Sequence, residues 1–163
     1  MPTESAHADL AVHNVGLVCH LRSQAEYHDW VAVACFYAAL HVVEALFARQ
    51  RPPAHGQSHE RRELMLKREH RYSHIYKHYR PLQGIATVAR YLEDPGTGAD
   101  RGPRALAPLQ TFSDYMSRDD VLTTAVGHHL LSILKSARDL LGVTATAQKF
   151  AEVIPGLQHP SVP

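Results

Sequence analysis

Thirteen histidines fall in a chain of 163 residues that also carries 17 Lys+Arg and 16 Asp+Glu. Imidazole titrates near neutrality, ligates metals and moves protons, so the positions of these rings set the chemical questions. His70, His74 and His78 repeat every four residues and share one side of any helix that holds them. Such i, i+4 spacing suits a pair of metal ligands, and His41, Glu44, His128 and His129 are what a helical bundle would add to them. Against this, no HExxH or second ExxH motif occurs, and Arg68, Arg71 and Lys77 repel a cation. No metal and no cofactor is therefore assigned.

A second constellation lies in an apolar stretch. Trp30, Tyr37, His41 and Glu44 fall at i, i+7, i+11 and i+14, one stripe of a helix, with His41 and Glu44 close enough to share a ligand or bond each other. An imidazole and a carboxylate in apolar surroundings each need a partner, so this is either a site with shifted acidities or a structural polar network. A third set pairs arginine with histidine. Metal-independent RNA cleavage needs a group near neutral pKa to move protons and a guanidinium to hold the charge that builds on phosphorus. Arg68 with His74, and Arg71 with His78, offer both groups, although Arg22 with His28 and Arg49 with His55 match the same spacing.

Charge is unevenly placed. Residues 1–48 have one basic residue against five acidic, net −4; residues 49–80 have nine against three, net +6; the remainder has seven against eight, net −1. The basic block, with Arg61, Arg62, Arg71, Lys77 and His78, can hold a polyanion by counterion release, and the interleaved Tyr72, Tyr76 and Tyr79 can stack on bases. A plain solvated helix face is the alternative.

The elements that position these groups read as helices. Apolar spacing predicts a first helix over 10–21 and a second, apolar on nearly every side and hence central, running to about Arg49 with Ser23 or Asp29 as its cap. Pro52, Pro53 and Gly56 break the pattern. Ser58 caps a third helix reaching Tyr79, with Pro81 as its stop signal, and a short helix over 82–92 follows. Residues 94–108 read as a turn-rich excursion. Ser117 and Asp120 open the last helix, over 118–141, and Gly142 closes it.

No strand pattern or internal repeat appears, so the expected fold is an all-α antiparallel bundle of four main helices with one or two short extra pieces, spanning 1–142. Residues 143–163, with three prolines, read as a mobile tail. The 45% hydrophobic content excludes a disordered chain, and Cys19 and Cys35 are too few for a disulfide scaffold; as core thiols they point to the cytoplasm. The N-terminus lacks a basic n-region, and His41 and Glu44 interrupt the apolar run over 30–48, which reads as a buried core helix with no membrane partner. Nucleophile elbow, Walker loop, GxGxxG and CxxC motifs are all absent.

The stretch from Tyr27 to Leu46 (YHDWVAVACFYAALHVVEAL) resembles the second helix of bacterial HEPN-like proteins, in which an aspartate–aromatic start leads into aromatic-Tyr-Ala-Ala-Leu-His. Ser58-His59-Glu60-Arg61-Arg62 and Ala89-Arg90-Tyr91 are similar to the short motifs that follow it there. The resemblance covers about residues 27–92. It implies a helical bundle, commonly dimeric, from toxin–antitoxin or antiviral systems; active members are metal-independent RNases with an Arg-x4-6-His motif at the dimer cleft, and others bind nucleotides or serve as interaction modules. Arg68 to His74 and Arg71 to His78 fit that spacing, though neither arginine is followed by the typical Asn-x-x-His. The leading expectation is an RNA- or nucleotide-binding protein using the basic third helix, with Arg68, His74, His41 and Glu44 as the cleavage set and Arg61, Arg62, Arg71, Lys77, His78 and Tyr79 as binding residues. A non-catalytic homodimer with a cognate protein partner, and a His-ligated metal bundle, are the alternatives.

Overall fold

Helices account for the architecture throughout the described part of the chain, residues 2–92 and 109–158 of a computed structural model, and no strand occurs among those residues. The expected excursion over 94–108 lies outside them. Helix α1, Glu4–Leu21, begins one and a half turns earlier than apolar spacing indicates, because Thr3 caps it: the Ala6 N–H donates to Thr3 Oγ1 at 3.2 Å. After a 3-10 turn at Ala25–Tyr27, α2 runs His28–Ala48, and Asp29 Oδ1 accepts from the Trp30 N–H at 2.8 Å.

Helix α2 is the hub. Its buried residues include Val31, Ala34, Phe36, Val42, Val43 and Phe47, and it packs on α1 and on the helices over 73–91 and 118–141. By length and composition Ala25–Ala48 could cross a membrane, and 78% of its most apolar window is buried against the other helices. A helix with small residues at 32, 34, 38, 39 and 45 lets its neighbours approach closely on several sides, which is why it is apolar all round.

The expected third helix is two. Helix α3, His59–Arg68, starts at the Ser58 cap as expected, with the Arg61 N–H donating to Ser58 Oγ at 3.2 Å, but ends at Glu69, whose backbone is extended. A 3-10 turn at His70–Tyr72 follows, and α4 then runs Ser73–Tyr91 without a break at Pro81. Proline removes one backbone donor, but Pro81 and Lys77, whose carbonyl it leaves free, are both exposed, where water can satisfy the carbonyl. Burial of Leu82, Ile85, Ala86 and Val88 then carries the helix onward to Leu92, whose left-handed φ of 54° ends it.

Helix α5 spans 118–141. Ser117 caps it, accepting the Asp120 N–H at 3.2 Å, and Gly142, at φ 63°, ends it. Its middle, Val121–Leu130, winds as a π-helix between α-helical ends, a feature that apolar periodicity does not encode. The expected mobile tail forms instead a further helix, α6, Ala145–Gln158, packed on α5 and α1. Thr146, Ala147, Phe150, Ile154 and Leu157 are buried, and this i, i+4, i+8 spacing outweighs Pro155. Lys149 also pairs with Asp9 across α1.

Candidate functional site

Glu44 is the centre of the first polar cluster. It projects from the middle of α2, is 3% exposed, and its carboxylate is satisfied from the loop and helix that follow. Arg62 Nε on α3 donates to Oε1 at 2.6 Å, the Gly56 N–H approaches both oxygens at 3.2 Å, and His55 Nδ1 lies 3.0 Å from Oε2. Burial alone would raise the carboxyl pKa, but the Arg62 hydrogen bond, the Gly56 N–H and the charges of Arg62 and His55 together hold it below the ordinary value. Gly56 has no room for a side chain: a Cβ there would stand 2.5 Å from Arg62 Cγ and 2.9 Å from Glu44 Oε1. The carboxylate thus locks the 49–58 loop and α3 onto α2.

His41, one turn before Glu44, is half-buried, with Nδ1 3.2 Å from Nδ1 of His7 on α1, and His7 stacks on His41 with ring centroids at 5.4 Å and tilts against His55 at 5.1 Å. Burial lowers the pKa of both His7 and His41 despite the nearby Glu44 carboxylate. His55 Nε2 is 3.2 Å from the Pro2 carbonyl oxygen, tying in the start of the chain.

The Arg62 guanidinium, itself buried, also reaches a second set of side chains. Its Nη1 is 3.3 Å from His59 Nδ1, and the exposed His59 ring packs on Phe36 at 5.5 Å. Partial burial, then the charges of Arg62 and of Arg90 at the end of α4, lower the His59 pKa and favour the neutral ring. The Arg90 guanidinium lies over the exposed Tyr37 ring at 6.0 Å and over Tyr91 at 5.0 Å. Three stretches far apart in sequence, around Tyr37, His59–Arg62 and Arg90–Tyr91, thus meet on one surface.

The other residues singled out by spacing scatter. Arg68 closes α3 and His74 lies in the first turn of α4; the 3-10 turn separates them, both are exposed, and no contact joins them among the described residues. Arg71 is held by Glu69, Nε to Oε2 at 2.6 Å, and lies over the Tyr72 ring at 4.7 Å. Tyr72 and Tyr79 are core residues, 3% and 0% exposed, and burial pushes the Tyr79 phenol up to about 12, so neither ring is available to a base. Tyr76 is half-buried beneath Lys67. Arg61 and Lys77 are exposed. Trp30 and Tyr37 are also exposed while Glu44 is buried, so the stripe on α2 serves two environments.

His70 falls in the 3-10 turn, off the helix that carries His74 and His78, so the triple repeat does not form one face. His78 turns inward instead and meets His128 and His129 of α5. His41 and Glu44, which spacing alone would have joined to that set, belong to the α1–α2 cluster.

Against family models, curated proteins and solved structures the chain finds no match. His59 and Arg90 are the residues of the Tyr37 face that spacing did not select. Arg90 lies in the net −1 remainder of the sequence, residues 81–163, and His59 stands apart from the i, i+4 series; only their place in short motifs marked them.

Proposed function

We propose that this protein is a HEPN-like helical-bundle protein that binds RNA or a nucleotide at the face where His59, Arg62, Arg90 and Tyr37 meet. The meeting of the Arg90 guanidinium, an exposed imidazole and an exposed aromatic ring above the buried Arg62 is the observation that carries this reading. Guanidinium binds phosphate oxygens in a fork, and an exposed tyrosine offers a stacking platform. Eight of the nine basic side chains in 49–80 (Arg49, Arg51, Arg61, Lys67, Arg68, Arg71, Lys77 and Arg80) are exposed and offer positive charge to a polyanion, while Arg62 is the ninth.

The same groups support RNA cleavage without a metal. His59 would take the proton of a 2′-hydroxyl as that oxygen attacks phosphorus, Arg90 would hold the charge on the phosphorane, and the P–O5′ bond would break as the 5′-oxygen takes a proton from water, leaving a 2′,3′-cyclic phosphate while His59 returns its proton to solvent. Glu44 then acts by holding Arg62 in place rather than by touching substrate. A cytoplasmic toxin–antitoxin or defence setting follows from the resemblance. A homodimeric interaction module is the second reading, favoured by Trp30 (57% exposed) and Tyr27 (41%) on the outer side of the α2 entry; light scattering of the purified chain decides whether that surface is covered by a second copy.

The test is binding of a structured RNA, and separately of a nucleotide, across a salt series, with Arg90→Ala alongside. We expect affinity to fall linearly with the logarithm of salt and the slope to drop by about 1 in the variant. Cleavage in excess EDTA, lost in His59→Ala and retained in His74→Ala, assigns the chemistry to this face. Salt-independent binding, or binding indifferent to Arg90, overturns it.

A further inference from the structure

The second histidine cluster shares no residue with the Tyr37 face. His78, 3% exposed, and His129, 9% exposed, bring their Nδ1 atoms to 3.1 Å. His128 is exposed, and its ring centroid is 4.8 Å from that of His78 and 4.9 Å from that of His129. One ring nitrogen from each of the three lies within 4.8 Å of the others. His74, one turn before His78 and also exposed, stacks edge-on at 4.8 Å.

From this geometry we infer that His78, His128 and His129 form a binding site for a divalent first-row transition cation of the Zn2+ class. Tetrahedral zinc with bonds of about 2.0–2.1 Å sets its nitrogen ligands about 3.3 Å apart, so the His78–His129 separation already matches one edge of the polyhedron. The three imidazoles are nitrogen donors of the softness such ions prefer, and the exposed side leaves a fourth position for water or His74.

Consecutive residues seldom ligate one ion from an α-helix, because their side chains diverge by a quarter turn or more. The π-helical winding over Val121–Leu130 narrows that divergence, and π-turns of this kind occur frequently at functional sites. Gly127 sits within the winding, where a Cβ would come 3.3 Å from the Leu122 carbonyl oxygen. Ligation also needs unprotonated rings. Burial, then the neighbouring His74, His128 and His129 and Lys77, hold the His78 pKa down at about 4, and burial with His128 lowers that of His129. Lys77 is exposed and free to swing from the ion.

The cluster of His7, Glu44 and His55 brings ligand atoms equally close, but its carboxylate is already taken by Arg62, Gly56 and His55, and the Arg62 charge opposes a cation. The cluster on α4 and α5 carries no such charge lock.

The experiment is titration of the untagged full chain, stripped with EDTA and desalted, with Zn2+ by calorimetry and with Co2+ by visible absorption. We expect one equivalent, a tetrahedral or five-coordinate Co2+ spectrum, and at least a ~10-fold weaker site in His128→Ala. His128 is exposed, so that variant keeps the core, and circular dichroism confirms its fold; His55→Ala serves as the control and should bind as the parent does. Absence of stoichiometric uptake overturns the assignment. So does affinity unchanged in His128→Ala, or lost in His55→Ala alone.

Discussion

Replacing Glu44 by Gln changes almost no volume and removes one charge, so it isolates the electrostatic lock beneath the Tyr37 face. The carboxylate accepts from Arg62 Nε at 2.6 Å and from the Gly56 N–H at 3.2 Å, and meets His55 Nδ1 at 3.0 Å, all within a site 3% exposed. The amide keeps one acceptor oxygen but sets an NH2 group against donors and leaves the buried guanidinium without a counter-charge. Breaking one partner of a buried pair costs about 3–5 kcal/mol, and the retained oxygen places Glu44→Gln near ~3 kcal/mol. For a chain of this size about 2–4 °C accompanies each kcal/mol, so Tm should fall by roughly 6–12 °C. Urea unfolding followed by circular dichroism gives the free energy directly. The double variant Glu44→Leu with Arg62→Met removes both charges and should cost less than the sum of the single changes by more than ~1 kcal/mol. A loss below about 1 kcal/mol in Glu44→Gln, or strict additivity in the double variant, would refute the lock.

Two further outcomes follow from the same geometry. Gly56→Ala forces a Cβ to 2.5 Å from Arg62 Cγ and should destabilise by about 1–3 kcal/mol, read as a lower urea midpoint; an unchanged midpoint means that the loop is free to move off the lock. His78 has its folded-state pKa depressed from 6.5 to about 4, so its contribution is fully present above pH 6.5 and is lost as pH falls toward 4. At about 1.4 kcal/mol per unit the ceiling is about 3 kcal/mol, reduced because exposed His74 and His128 admit water beside the ring. His7, His41, His59 and His129 shift in the same direction, and urea midpoints that did not fall between pH 7.5 and pH 5 would contradict this linkage.

Local signals wrote much of the chain. The i, i+3, i+4 apolar spacing of 10–21 and 118–141, the caps at Ser58 and Ser117 and the stop at Gly142 depend only on neighbours a few residues away, and all appear where the sequence puts them except the start of α1, which Thr3 moves forward to Glu4. The burial of α2, and the need of Glu44 for a partner, are likewise set by residue type. Pro81 shows the limit of such signals: a local stop gave way to four buried side chains beyond it, and the break fell instead at Glu69, which carries no breaker. Residues 145–158 gained their helix from the groove between α1 and α5, a surface that exists only after folding.

Convergence was out of reach of the sequence. His7 meets His41 across 34 residues and His78 meets His129 across 51, while Tyr37, His59 and Arg90 join from three helices. Side chains at such separations are brought together by how helices pack, and neither periodicity nor spacing carries that information. The sequence by itself determined most of the helices, the caps at Ser58 and Ser117 and the stock of imidazole and guanidinium groups. Tertiary packing alone decided which of those groups face one another, because a ring nitrogen becomes a partner only when another element holds a second one within about 3 Å.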